Sequence, residues 1–179
     1  MNELGLKRGT ILLVPHNPIW KHIYIEEVKQ LKKLLTKDFL ASEHIGSTAV
    51  SGILAKPILD MMVALPSLDI ISNYKSQLES LGFHDRGYPI MLHDHVLFAK
   101  GPEEARTVYV KFTVLGSDFW NECVLFRDYL NHYTSAARAY EKLKLKLAAQ
   151  LNPNDRKNYT LMKSEFIKEI INKAKRKQS

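Results

Sequence analysis

Asp60 is the residue whose surroundings ask most for an explanation. It interrupts Lys56-Pro57-Ile58-Leu59-Asp60-Met61-Met62-Val63, a run that is otherwise almost wholly apolar. A carboxylate in such a run carries a large desolvation cost unless it is paired, hydrogen-bonded or bound to a cation. A nearby lysine or arginine would satisfy it, and so would a divalent metal at a strand position opening into a cleft. Fourteen residues earlier stands Glu43-His44-Ile45-Gly46-Ser47-Thr48, a strand that ends in Gly-Ser and opens a short helix. Backbone N–H groups at a helix start attract anions, and glycine lets a phosphate approach closely. A phosphate beside a metal is the arrangement that nucleotidyl transfer uses. Gly-Ser alone marks a turn; with Asp60 following, it marks a candidate site.

Other polar side chains admit two readings each. His44 either touches a phosphate or bonds Glu43 at the site, or it packs in the core. Glu43, facing opposite to His44 on a regular strand, supplies a second carboxylate to the metal or pairs with a lysine. His93-Asp94-His95 sets two imidazoles on one strand face, with Asp94 pointing away, where they can ligate zinc. Arg127 and Asp128 are adjacent on a helix and point in different directions, so Asp128 can bond backbone while Arg127 reaches the cleft; Lys163 can do the same, or these charges pair on the surface. Trp20, Trp120, Phe126 and Tyr129 read as core, and Cys123 as packing.

These residues need elements to hold them. Residues 10–14 read as a first strand and 15–18 as a turn into an amphipathic helix over 20–35. Residues 39–45 read as a short strand, 47–52 as one or two helical turns, and 57–65 as a strand covered on both faces. Helical spacing resumes over 67–81 and stops at Gly82. Strands follow at 83–88, 91–99 and 106–115, with a turn at Gly101-Pro102. Three helices are then predicted at 118–132, 135–151 and 155–175. Helices and strands interleaved, then three helices, predict an α/β (α+β) fold with a mixed sheet flanked by helices.

The length of 179 residues is enough for one substantial core, so residues 1–179 are expected to form a single domain. No apolar stretch approaches the roughly 20 residues needed to cross a bilayer. Pro15, His16 and Asn17 interrupt the apolar stretch that a signal peptide would need. Cys123 is the only cysteine, which excludes an intrachain disulfide and a thiolate metal cluster. A cytoplasmic location is expected. The net charge of +7 suits an anionic partner, yet Lys168, Lys173, Lys175, Arg176 and Lys177 put much of it on a helix end. No motif reads bases, so the expected partner is a small phosphate-containing ligand rather than nucleic acid.

Val14-Pro15-His16-Asn17-Pro18-Ile19-Trp20, then Glu43-His44-Ile45-Gly46-Ser47-Thr48-Ala49-Val50, then Ala55-Lys56-Pro57-Ile58-Leu59-Asp60 resemble the GrpB (UPF0157) family. Gly116-Ser117 with Trp120, Phe126-Arg127-Asp128-Tyr129-Leu130, Tyr140 with Leu143-Lys144, and Tyr159 with Lys163 and Phe166-Ile167 extend the resemblance over nearly the whole chain. It implies a nucleotidyltransferase-like fold in a family whose substrate is not established. In some members the domain is fused to dephospho-coenzyme A kinase. The wider superfamily places a second carboxylate two residues after the first, where this chain has Met62. The family tends to place His-x-His where this chain reads Tyr109-Val110-Lys111. A thioether does not hold magnesium and lysine repels it. Lys111 can instead hold phosphate as a positive charge.

Two functions follow. In the first, an enzyme transfers a nucleotidyl or related group, with Mg2+ on Asp60 and Glu43. His44, Gly46, Ser47, Thr48, Lys56, Arg127 and Lys163 would then bind phosphate, with Asp60 and Lys111 at the reacting group. In the second, a non-catalytic module binds a nucleotide, a coenzyme A-like molecule or another anion.

Overall fold

The computed structural model describes residues 4–7, 9–88, 94–152 and 155–178. The chain runs β1 (Leu6–Lys7), α1 (Ile19–Leu35), β2 (Ala41–Ile45), β3 (Leu59–Leu65), α2 (Lys75–Ser80), β4 (Phe83–Asp85), β5 (Val96–Lys100), β6 (Ala105–Arg106) and β7 (Val108–Val114). It ends in α3 (Asp118–His132), α4 (Thr134–Gln150), α5 (Arg156–Leu161) and α6 (Ser164–Gln178). Five strands make one mixed sheet in the order β2-β3-β7-β5-β4, and β1 pairs with β6 in a separate ribbon. β3 and β7 are parallel; the other neighbours in the large sheet are antiparallel.

The predicted mixed sheet with flanking helices is what the chain adopts. The apolar run of β3 buries alternate residues on opposite faces, which is why it carries no polar alternation. Met61, Val63 and Leu65 join Trp20, Leu31 and Leu35 of α1 and Leu78 of α2 in one core cluster. Met62 and Ala64 turn the other way, toward Trp120 of α3. Each such side chain removed from water contributes about 1.5–3 kcal/mol. A third cluster joins Phe126 and Leu130 of α3 to Tyr140 of α4 and Ile170 and Ile171 of α6. Asp60 shares the face of Met62, and so looks toward the C-terminal helices. No helix among the described residues is long and apolar enough to cross a membrane.

Several expected elements change: the helical turns expected over 47–52 are a 3-10 stretch (Ser47–Ala49), the strand expected at 83–88 ends at Asp85, and the one at 106–115 divides into β6 and β7. Residues 10–14 form no strand beyond a bridge at Val14, whose N–H and C=O both bond Ala55 at 2.8 and 2.9 Å. The next partner along the ladder would be Pro57, which has no N–H, and its carbonyl is taken by Gly5 N–H at 2.8 Å. Residues 67–81 divide into a 3-10 stretch (Asp69–Tyr74) and α2. There Ser67 and Ser72 bond the backbone of Asp69 and compete with the helical ladder. The helix predicted over 155–175 is two helices, broken at Met162 and Lys163. The apolar stripe runs through that break unaltered, so tertiary packing sets it rather than propensity.

Candidate functional site

β2 and β3 pair with Ile45 opposite Asp60, which brings the residue after Ile45, Gly46, directly over the Asp60 side chain. Gly46 has φ 69° and ψ −167°, a region open in practice to glycine alone. A Cβ added there would lie 3.1 Å from Asp60 Oδ2 and 3.2 Å from its Cβ. The chain then turns through a 3-10 stretch (Ser47–Ala49). On the other side of β3, Asp60 is level with Tyr109 of β7, which places Lys111 diagonally across. Lys111 Nζ lies 3.4 Å from Asp60 Oδ1. Burial works against the charged amine, but Asp60, with smaller contributions from its other acidic neighbours, holds the Lys111 pKa above its ordinary value.

A cavity of about 410 Å³ opens on this sheet face. Gly46, Ser47, Thr48, Asp60 and Lys111 form its floor, and Lys56 and Lys163 reach in from the side. Lys56 Nζ and Lys163 Nζ both lie over the Tyr159 ring, 5.2 and 4.6 Å from its centroid. The Tyr159 ring is fully buried and its hydroxyl has no hydrogen-bond partner among the described residues. Tyr140 also lines the cavity and bonds the Ser47 side chain; burial raises its pKa to about 12, so it stays protonated. Cys123 lines it as well, and burial pushes its thiol up to about 11 against the pull of Lys111. A protonated thiol is a poor nucleophile.

Glu43, His44 and Arg127 stand outside the cavity lining and fasten the turn from behind. Glu43 shares the Asp60 face of the sheet and forms an ion pair with Arg127 Nη1. The same nitrogen donates to the His44 carbonyl at 2.9 Å, and Arg127 Nε donates to Asp128 Oδ1 at 2.7 Å. His44 lies on the opposite face, with Nε2 2.9 Å from Thr48 Oγ1 and its ring stacked on Tyr24. Burial lowers its pKa to about 4, against the pull of Asp60, so the imidazole is neutral at pH 7.

His93 lies outside the described residues. Asp94 and His95 precede β5 rather than lying in it, and Asp94 does not point away: its Oδ1 meets His95 Nδ1 at 2.6 Å. The alternation expected of a strand does not apply there. His95 stacks on Phe119 at 4.1 Å. Among the described residues no three or more His, Cys, Asp or Glu side chains group as a metal site. Trp20 and Trp120 are core as expected, and Phe126 is both core and cavity wall.

The residues that shape the turn's far end escaped the sequence reading as a working group. Asn131 of α3 accepts from Ser51 N–H at 3.1 Å and donates to the Ala49 carbonyl at 3.0 Å. From α4, Arg138 donates to the Gly52 carbonyl at 3.0 Å, Glu141 accepts from Leu54 N–H at 2.6 Å, and Lys144 donates to the Leu54 carbonyl. Lys144 is 1% exposed. Burial, with Lys163 nearby, lowers its pKa to about 7. One signal for it is legible: Ala137, Tyr140, Lys144 and Leu147 share a helical stripe, and a lysine on a buried stripe needs an acceptor.

A family model described as GrpB protein matches residues 10–173. The glutamate-rich protein GrpB of Alkalihalophilus pseudofirmus is 32% identical, over 94% of this chain and 98% of that one. The crystal structure of conserved protein GrpB from Enterococcus faecalis superposes with a TM-score of 0.84 at 31% identity, covering 93% of this chain and 99% of that one. The chain therefore belongs to the GrpB family. A dephospho-CoA kinase of Mycobacterium bovis is 36% identical over 81 residues, which is 44% of this chain and 20% of that enzyme.

Proposed function

We propose that this chain is a binding module for a nucleotide or another phosphate-containing small molecule, seated in the cavity over Gly46 and Lys111. One observation carries the reading: Lys56, Lys111 and Lys163, from three distant parts of the sequence, line one cavity together with the Gly46-Ser47-Thr48 turn. Ammonium groups on a partly desolvated surface beside a glycine turn are what a phosphate needs. The nucleotidyltransferase-like fold implied by the family resemblance agrees, as does the local likeness to a dephospho-CoA kinase.

The residues present do not fit a resident magnesium ion. Among the described residues Asp60 is the one carboxylate on the cavity floor, and its near neighbour is the Lys111 ammonium at 3.4 Å. The position two residues on is the fully buried thioether of Met62. Glu43 is held by Arg127, and Glu122 on the cavity wall is 2.8 Å from Lys175. Hard divalent cations ask for several oxygen ligands and no adjacent ammonium.

Thermal shift and calorimetry against a panel of nucleotides and coenzyme A compounds, with magnesium or with a chelator, test the reading. A ligand at about 100 times its Kd adds about 2.7 kcal/mol to stability. The expected result is binding that survives the chelator and is lost in Lys111→Met and Lys163→Met. Binding that requires magnesium and disappears in Asp60→Ala would transfer the function to metal-dependent catalysis. No binding by any compound would reject the site.

A further inference from the structure

The cavity is much larger than a phosphate group, and its chemistry is divided by element. Asp60 and Lys111 from the sheet, with Ser47 from the turn after β2, make the polar floor. The helices contribute most of the apolar wall, Phe119 and Phe126 from α3 and Ile167 and Ile171 from α6, with Glu122 of α3 and Thr160 of α5 as polar members. Phe119 is stacked on His95 at 4.1 Å, and Phe126 meets Tyr140 edge-on at 5.2 Å, so both rings are held in place by their neighbours. Ile167 and Ile171 are four residues apart and present one face of α6. At about 410 Å³ the space falls in the range of about 300–1,000 Å³ typical of small-molecule clefts, where apolar walls carry the body of a ligand and few polar groups orient it. Inorganic phosphate or a sugar phosphate would satisfy the floor and leave the wall against water.

We infer that the ligand is an amphiphilic phosphate ester: its phosphate meets the Gly46 turn and Lys111, and its apolar or aromatic body lies between Phe119 and Phe126 of α3 and Ile167 and Ile171 of α6. This rests on the phosphate-binding reading above and adds the nature of the body. Ile58, buried below the floor strand's start, continues the apolar surface. An aromatic body would find ring partners on α3.

The test compares two monoesters with the same charged group, phenyl phosphate and glycerol 3-phosphate, alongside inorganic phosphate, by NMR titration of the full chain. Phenyl phosphate is expected to bind about tenfold tighter or more, the effect of burying one ring's apolar surface. Ile167→Ser, at a half-buried position, should shrink that ratio without altering the affinity for glycerol 3-phosphate, and its thermal midpoint reports that it folds. Lys111→Met should weaken both esters. Equal affinity for the two esters, or phosphate binding as tightly as phenyl phosphate, would overturn the amphiphilic ligand and leave the phosphate site standing. Failure of all three to bind would overturn both.

Discussion

Replacing Gly46 with alanine tests whether the turn and Asp60 are built as one unit. At φ 69° and ψ −167° any residue with a side chain is strained by about 1–3 kcal/mol. The new methyl would also lie 3.1 Å from Asp60 Oδ2 and 3.2 Å from Asp60 Cβ. The oxygen can swing aside, but the Cβ is fixed to β3, whose next five residues are fully buried. Relieving the contact therefore moves a strand, at about 1–3 kcal/mol. Alanine recovers about 0.4–1 kcal/mol by restricting the unfolded chain. The net loss is about 1–5.5 kcal/mol, or a fall in Tm of about 2–22 °C for a chain of this size. Urea unfolding with an unchanged m-value measures it. Gly116→Ala is the control, because Gly116 has φ 74° and nothing within 4 Å of a built Cβ. It should incur the left-handed penalty without a close contact, about 1–2 kcal/mol, less the same gain from the unfolded chain. If Gly46→Ala costs no more than Gly116→Ala, the close approach to Asp60 has no energetic weight and the reasoning fails.

Lys144 makes a pH prediction of definite sign. Its pKa is about 7 in the folded chain and 10.5 in the unfolded one, so between those values the unfolded state binds more protons and stability rises with pH. Below about pH 7 both states are protonated and the burial penalty is fully present. Urea midpoints across that window should rise in the native protein relative to Lys144→Met; parallel curves would show that the amine is not the titrating group. Arg127→Lys keeps the charge but loses the planar fork, in which Nη1 bonds Glu43 and the His44 carbonyl while Nε bonds Asp128. With Glu43 one-third exposed, the expected loss is about 1–2 kcal/mol, with faster amide exchange at Ser47 and Thr48. Unchanged exchange there would dissociate Arg127 from the turn.

The sequence reading succeeds where the signal is local. Helix α3 is placed correctly at both ends because Ser117 is a side-chain cap, accepting from Trp120 N–H at 3.2 Å. The two-sided burial of β3 is visible in its composition. The partner of Asp60 is not, because it depends on the parallel register of β3 and β7, which sets Asp60 opposite Tyr109 across a long crossover. The same limit hides the fates of Glu43 and Arg127, which meet each other 84 residues apart rather than in the cavity. The strand expected at residues 10–14 fails for a reason written in the partner segment, the missing N–H of Pro57, which no pattern within 10–14 contains.

The fastening of residues 44–54 by side chains of α3 and α4 has a consequence for biosynthesis. Every bond from Arg127, Asn131, Arg138, Glu141 and Lys144 to that segment spans 80 residues of chain or more. Contacts of such separation form late, because a long loop must close before they contribute anything. On a ribosome the sheet's strands emerge first, with the turn over Asp60 still lacking its anchors. At about 5–20 residues per second, several seconds pass before α4 follows. During that interval the Gly46 turn has its close approach to Asp60 and the bond between His44 and Thr48 but lacks the side-chain bonds that α3 and α4 supply.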